Sequence, residues 1–167
     1  MITTALLIIA SVVASVIVVN STFPAIVRSS GAIVRSSEAM DQRIETQISI
    51  VHATSELDSD GVWQDTDSDT YFDVWVWVKN VGPARIIGED QMDVFIGKNG
   101  SLERINYVDY AEGAYPNWTY TLENGTEWTN TVTLKITIHY SAALTTGTYV
   151  VKLITPSGAY DEHYFSF

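Results

Sequence analysis

The chain has no cysteine, which excludes a disulfide framework, a thiolate metal site and a cysteine nucleophile. It is also short of positive charge, with 9 Lys and Arg against 20 Asp and Glu in 167 residues, a formal net charge of -11. That balance repels nucleic-acid phosphates, so nucleic acid is not an expected partner. Charge of either sign is missing altogether from Met1 to Val27. Through residue 50 the charges cancel, Arg28, Arg35 and Arg43 standing against Glu38, Asp41 and Glu45. The whole net charge therefore falls on the remainder, which holds 6 basic and 17 acidic residues. A neutral apolar arm precedes an acidic body, and the length suits one domain plus an appendage.

Catalytic signatures are missing as well. The sequence contains no G-x-S-x-G, no H-E-x-x-H and no G-x-x-x-x-G-K-[ST], and many scattered carboxylates without a cleft do not make a hydrolase. His52, His139 and His163 lie far apart, with His139 on the polar face of an alternating segment. An enzyme is not expected.

What the chain does have begins with Met1 to Val19, MITTALLIIASVVASVIVV, long enough to cross a bilayer as a helix. Its hydroxyls, on Thr3, Thr4, Ser11 and Ser15, can return to helix carbonyls. A cleaved secretory signal needs a basic region ahead of the apolar run. Nothing basic precedes residue 28, so the segment is expected to stay in the mature chain. Pro24 should kink the helix or cost it a hydrogen bond. Apolar positions nevertheless resume beyond it at Ile26, Ile33, Met40, Ile44, Ile48 and Val51, with steps of 7, 7, 4, 4 and 3 residues, the spacing of one helical stripe. This predicts a helix from about Ile2 to Glu56, on the order of 80 Å long. A plain anchor with a stalk is one reading. The other is a rod that packs against copies of itself through Ile2, Leu6, Leu7, Ile9, Val12, Val13, Ala14, Val16, Ile17, Phe23 and the later stripe.

Residues 57–70, LDSDGVWQDTDSDT, form a breaker-rich acidic linker. Asp65, Asp67 and Asp69 alternate as at the start of a calcium loop, but Thr70 stands where the turn glycine belongs and Val76 where the bidentate glutamate belongs. An EF-hand is excluded. A looser calcium site from Asp58, Asp60, Asp65, Asp67 and Asp69 competes with a plain solvated linker, and no other cofactor is expected. Beyond Thr70 the period changes to two. Tyr71 to Lys79 and Thr131 to Tyr140 alternate apolar and polar residues, and five shorter candidates follow at Met92 to Gly97, Glu103 to Val108, Asn117 to Leu122, Thr148 to Thr155 and Ala159 to Phe167. About seven strands within 71–167 predict an antiparallel β-sandwich of immunoglobulin-like type, so the fold class is α+β. Trp75 and Trp77 fall opposite the valines of their strand and can either close a second sheet or meet a neighbouring subunit.

Four N-x-[ST] sequons occur, at Asn20, Asn99, Asn117 and Asn124. Asn99, Asn117 and Asn124 are the expected surface glycans; Asn20, within the arm, is expected to be bare.

An apolar N-terminal helix with no basic region before it, followed by an all-β domain, resembles the archaellins and other archaeal type IV pilin-like proteins. The stretches ITTALLIIASVVASVIVVNSTFPAI and VWVKNVGPARI, with the ending SGAYDEHYFSF, are similar to the archaellum-associated F and G proteins. The resemblance implies a short leader removed by a prepilin peptidase, although Met1 has no Lys/Arg-Gly leader before it. It also implies helices bundled in a filament core, sandwiches outside, and a membrane platform with an assembly ATPase acting in trans. No acidic residue lies near Met1, which leans toward the archaellum type. The expected function is a repeating subunit of an extracellular filament for motility or adhesion, a helical homopolymer that resides in the membrane before assembly. The alternative is a low-copy anchoring or stator protein that meets the cell-surface layer.

Overall fold

The computed structural model describes residues 2–98 and 100–166. The chain separates into two units after Asp41. The first lies wholly within one helix, α1, Ile2–Glu45, which runs through Pro24 without a break and has no buried residue. Its hydroxyls behave as expected at Ser11 and Ser15, which donate to the Ile8 and Ser11 carbonyls at 2.9 and 2.8 Å. Ser21 and Thr22 both return to the Val18 carbonyl.

The expected continuation of the helix to Glu56 is corrected: α1 stops at Glu45, and Ile48–Ser55 is the first strand, β1. Two causes can be read from the structure. The end of the helix is capped by residues 81–84, where Ala84 N donates to the Glu45 carbonyl at 2.9 Å, and Val81 N and Gly82 N donate to that of Gln47 at 2.8 and 3.0 Å. Free C-terminal carbonyls are thereby satisfied from outside the helix. Gly82 makes this possible, because a Cβ there would collide with the Glu45 carbonyl. Secondly, Ile48 and Ile50 are 3% and 6% exposed, and burying such side chains gains roughly 1.5–3 kcal/mol each, more than helix propensity opposes. The apparent stripe through Ile44, Ile48 and Val51 came from a β-bulge. Ile50 pairs with Val78 and His52 with Trp77, leaving Val51 as the extra residue. The inward set is Ile48, Ile50, Ala53 and Ser55, while Val51 and His52 both face out. One inserted residue thus turned a period of two into a semblance of a helical period.

Seven further strands follow: β2 Phe72–Asn80, β3 Asp93–Lys98, β4 Ser101–Tyr107, β5 Asn117–Leu122, β6 Thr133–Tyr140, β7 Thr148–Ile154 and β8 Tyr160–Ser166. Each coincides with an expected segment. The order is β1-β2-β6-β5-β4-β3-β7-β8, antiparallel throughout except for the short parallel pair β4 and β5. The ribbon folds over so that Val74, Val76, Val78, Leu134, Ile136 and Ile138 of one layer meet Val94, Ile96, Ile105, Val151 and Leu153 of the other in one core. Trp118 is fully buried in it, its Nε1 donating to the Ile105 carbonyl at 3.1 Å. This is an α+β chain with a sandwich as its globular part. At the two free edges a side chain substitutes for the missing ladder: Ile50 N donates to Asp161 Oδ2 at 2.7 Å, linking β1 to β8 and blunting both edges.

Candidate functional sites

The helix is the longest element and carries the largest run of exposed apolar residues. Leu6, Leu7, Val12, Val13, Val16, Ile17 and Phe23 are each more than half exposed, as are Ile26, Ile33, Met40 and Ile44. Ile2–Glu45 is long and apolar enough to cross a membrane. A helix with no buried residue and no charge from Ile2 to Val27 must be covered by lipid or by other protein, since nothing in its own unit shields it. The 44 residues span about 66 Å, twice a hydrocarbon core of roughly 30 Å. The segment beginning at Arg28 therefore lies outside the lipid when the uncharged part is within it.

On the outer face of the sandwich, Trp75 and Trp77 point away from the core, so they do not close the second sheet. Their rings are covered from within the chain. Lys135 Nζ lies 5.0 Å from the Trp75 ring and 5.4 Å from that of Trp77. His52 stacks on Trp77 at 5.6 Å, and Trp77 Nε1 donates to Glu123 Oε1 at 3.2 Å. Cation–π contact and stacking give these tryptophans a place on a solvent-facing sheet.

His139 is not the surface histidine its alternation suggested. Its Nδ1 lies 2.8 Å from Asp73 Oδ1 and its Nε2 lies 3.2 Å from Thr119 Oγ1, across β2, β6 and β5. The hydrogen bond that His139 donates to the buried Asp73 carboxylate raises the His139 pKa above its usual value; burial opposes, and the charges of Asp73, Asp69 and Asp67 reinforce. Both ring nitrogens are engaged, and the contact with Asp73 is an ion pair when His139 is protonated. Asp73 stands directly opposite His139 in the β2–β6 register and, although it shares the outward parity of Trp75 and Trp77, is only 4% exposed.

The aspartates of the acidic linker do not converge as one group. Asp58 serves a tight turn, its Oδ1 accepting from Asp60 N and Val62 N at 2.9 Å each, with Gly61 in the left-handed conformation at φ 77. Asp60 sits in that turn. Asp69 accepts from Tyr71 N at 2.8 Å and lies with Asp73 and His139. Only Asp65 and Asp67 draw together, and their companion is Glu56, which the sequence did not single out.

Among the sequons, Asn117 is corrected. It is 3% exposed and its Nδ2 donates to the Ala114 carbonyl at 2.9 Å, so the nitrogen that would carry a sugar is enclosed. Asn124 is exposed, although it bridges the β5–β6 turn through the Thr131 carbonyl and Thr133 N. Asn20 is exposed on α1, and Asn99 lies outside the described residues.

The chain thus comprises an apolar helix long enough to cross a membrane and an acidic β-sandwich. The chain is similar to the archaellum periplasmic stator protein FlaG from Sulfolobus acidocaldarius, with 25% identity and a TM-score of 0.55, over 72% of this chain and 99% of that one. It is equally similar to a chain of the archaellum periplasmic stator complex of FlaF and FlaG from the same organism, with 25% identity and a TM-score of 0.54, over 72% of this chain and 89% of that one. The sandwich unit makes up about three quarters of the chain, enough to supply that coverage by itself. No protein-family model and no curated protein matches. The resemblance to the archaellum-associated F and G proteins stands; both structures are stator proteins.

Proposed function

We propose that the chain is a stator-type component of an archaellum, held in the membrane by the uncharged part of α1, with its sandwich on the outer side of that membrane and a structural, non-catalytic role. The observation that carries this is the match to the FlaG stator over 99% of that chain. It favours the anchoring alternative over the repeating filament subunit, and a homopolymer gains no support from it. A stator has to stay fixed while its counterpart turns. A helix with about 26 uncharged residues embedded in lipid supplies the fixed end, since its burial accumulates roughly 0.3–0.6 kcal/mol for each large apolar residue. The acidic sandwich supplies the end that meets the rest of the archaellum machinery or the cell-surface layer.

The test is to shear filaments from cells of the source organism and quantify this chain by mass spectrometry in both fractions. The stator reading expects it in the envelope fraction at low copy. Enrichment in the sheared filaments, at a level comparable with the most abundant filament protein, would restore the subunit reading.

A further inference from the structure

Glu56, directly after β1, is 1% exposed. Its main chain is held on both sides: Glu56 N donates to the Asp73 carbonyl at 2.9 Å, and Gln64 N donates to the Glu56 carbonyl at 3.2 Å. The side chain is directed into the acidic linker, where Oε1 accepts from Thr66 N and Thr66 Oγ1, both at 2.5 Å, and from Asp67 N at 3.2 Å. Oε2 is buried and has no hydrogen-bond partner among the described residues. A buried carboxylate oxygen in that condition calls for a cation or a proton donor. The loop that the Glu56 side chain enters brings two more carboxylates, of which Asp65 accepts from Ser68 N at Oδ1 and from Thr70 N at Oδ2, at 2.7 and 3.0 Å, and Asp67 Oδ1 accepts from Asp69 N at 3.1 Å. One ligand atom from each of Glu56, Asp65 and Asp67 lies within 4.8 Å of the others, and the ion pairs among the described residues involve none of the three.

We propose that Glu56, Asp65 and Asp67 bind one hard divalent cation, calcium by preference, which fastens the acidic linker to the end of β1. The donor set is all oxygen, which suits calcium or magnesium and not zinc. Calcium is favoured because the donors come from a strand end and an irregular loop, a flexible geometry that calcium accepts and octahedral magnesium does not. Asp67 is exposed, so water can complete the coordination shell from that side. The assignment is independent of the archaellum reading.

The experiment is calorimetric titration of CaCl2 into the detergent-solubilised full chain, previously stripped with EDTA and desalted, with the near-ultraviolet tryptophan spectrum as the check on folding. One site per chain is expected, with a Kd of about 10⁻⁴ to 10⁻³ M, as in extracellular calcium modules. Glu56→Gln and Asp67→Asn should each weaken binding at least tenfold, whereas Asp60→Asn, in the separate turn, should leave it unchanged. Asp67 is exposed, so Asp67→Asn decides the matter if Glu56→Gln fails to fold. No saturable heat up to about 10 mM CaCl2, a concentration beyond that affinity range, overturns the proposal. So does an unaltered isotherm for a folded Asp67→Asn. Magnesium binding as tightly as calcium overturns the preference.

Discussion

Replacing Ile44, Ile48 and Val51 by alanine, one at a time, separates a continuous rod from a helix that gives way to a strand. On a single helical stripe the three would be equivalent. In the structure Ile48 is 3% exposed at the start of β1, whereas Ile44 and Val51 are 58% and 54% exposed. Ile48→Ala removes three heavy atoms from a core lined by β-branched residues and leaves a cavity. Such truncations cost about 2–5 kcal/mol, and the edge position of β1 puts the expectation near the lower half, about 2–3.5 kcal/mol. For a sandwich of this size each kcal/mol moves Tm by roughly 3–5 °C, so a fall of about 6–17 °C is expected. Ile44→Ala and Val51→Ala should lie within about 0.5 kcal/mol of the parent, as exposed substitutions do. The assay is thermal unfolding of the detergent-solubilised chain, followed by near-ultraviolet circular dichroism of the buried Trp118 and Trp128. If Ile48→Ala melts with Ile44→Ala, the placement of β1 in the core is wrong.

Three further outcomes follow from particular contacts. Gly82→Ala should destabilise the sandwich by about 2 kcal/mol or more, because the new Cβ meets the Glu45 carbonyl and overpacking of that kind costs 1–3 kcal/mol; a Tm within 2 °C of the parent refutes the capping role of the 81–84 loop. His139 has a raised folded-state pKa, so its pairing with Asp73 stabilises fully below the unfolded value of about 6.5 and is lost as pH rises through the folded value. Melts from pH 6 upward should show this decline, and Asp73→Asn should flatten it; an equal decline in the variant would assign it to other groups. In the arm, Val13→Lys combined with Ile17→Lys should cost about 5–7 kcal/mol of insertion free energy, enough to offset the roughly 4–8 kcal/mol gained from the large apolar residues. The double variant should shift from the membrane to the soluble fraction with its sandwich intact, and full membrane retention would contradict the anchor.

Much of this fold was legible in the sequence, for definable reasons. The uncharged run to Val27 and the alternation in β2 and β6 are strong periodic signals that burial enforces on both. The shorter strands were found because Gly and Asn turns punctuate them. β1 was missed because the bulge at Val51 broke its alternation and lent it the spacing of a helix. The site residues fared differently. Asp58, Asp65, Asp67 and Asp69 all looked like cation ligands and all accept from nearby main-chain N–H groups; what separates Asp65 and Asp67 is their place beside Glu56, which spacing does not reveal. Glu56 and Asp73 carried no signal, since their roles depend on burial at strand ends brought beside residues far away in the chain. Asn117 shows the same limit, a sequon enclosed by the fold it belongs to.

The claim that this chain belongs to a fixed envelope component is tested most directly by locating it. Immunogold electron microscopy of intact cells, using antibodies to the exposed face of the sandwich, should place label at the cell envelope, where filaments emerge. Label repeating along the length of the filaments would contradict the stator account and return the chain to the filament itself.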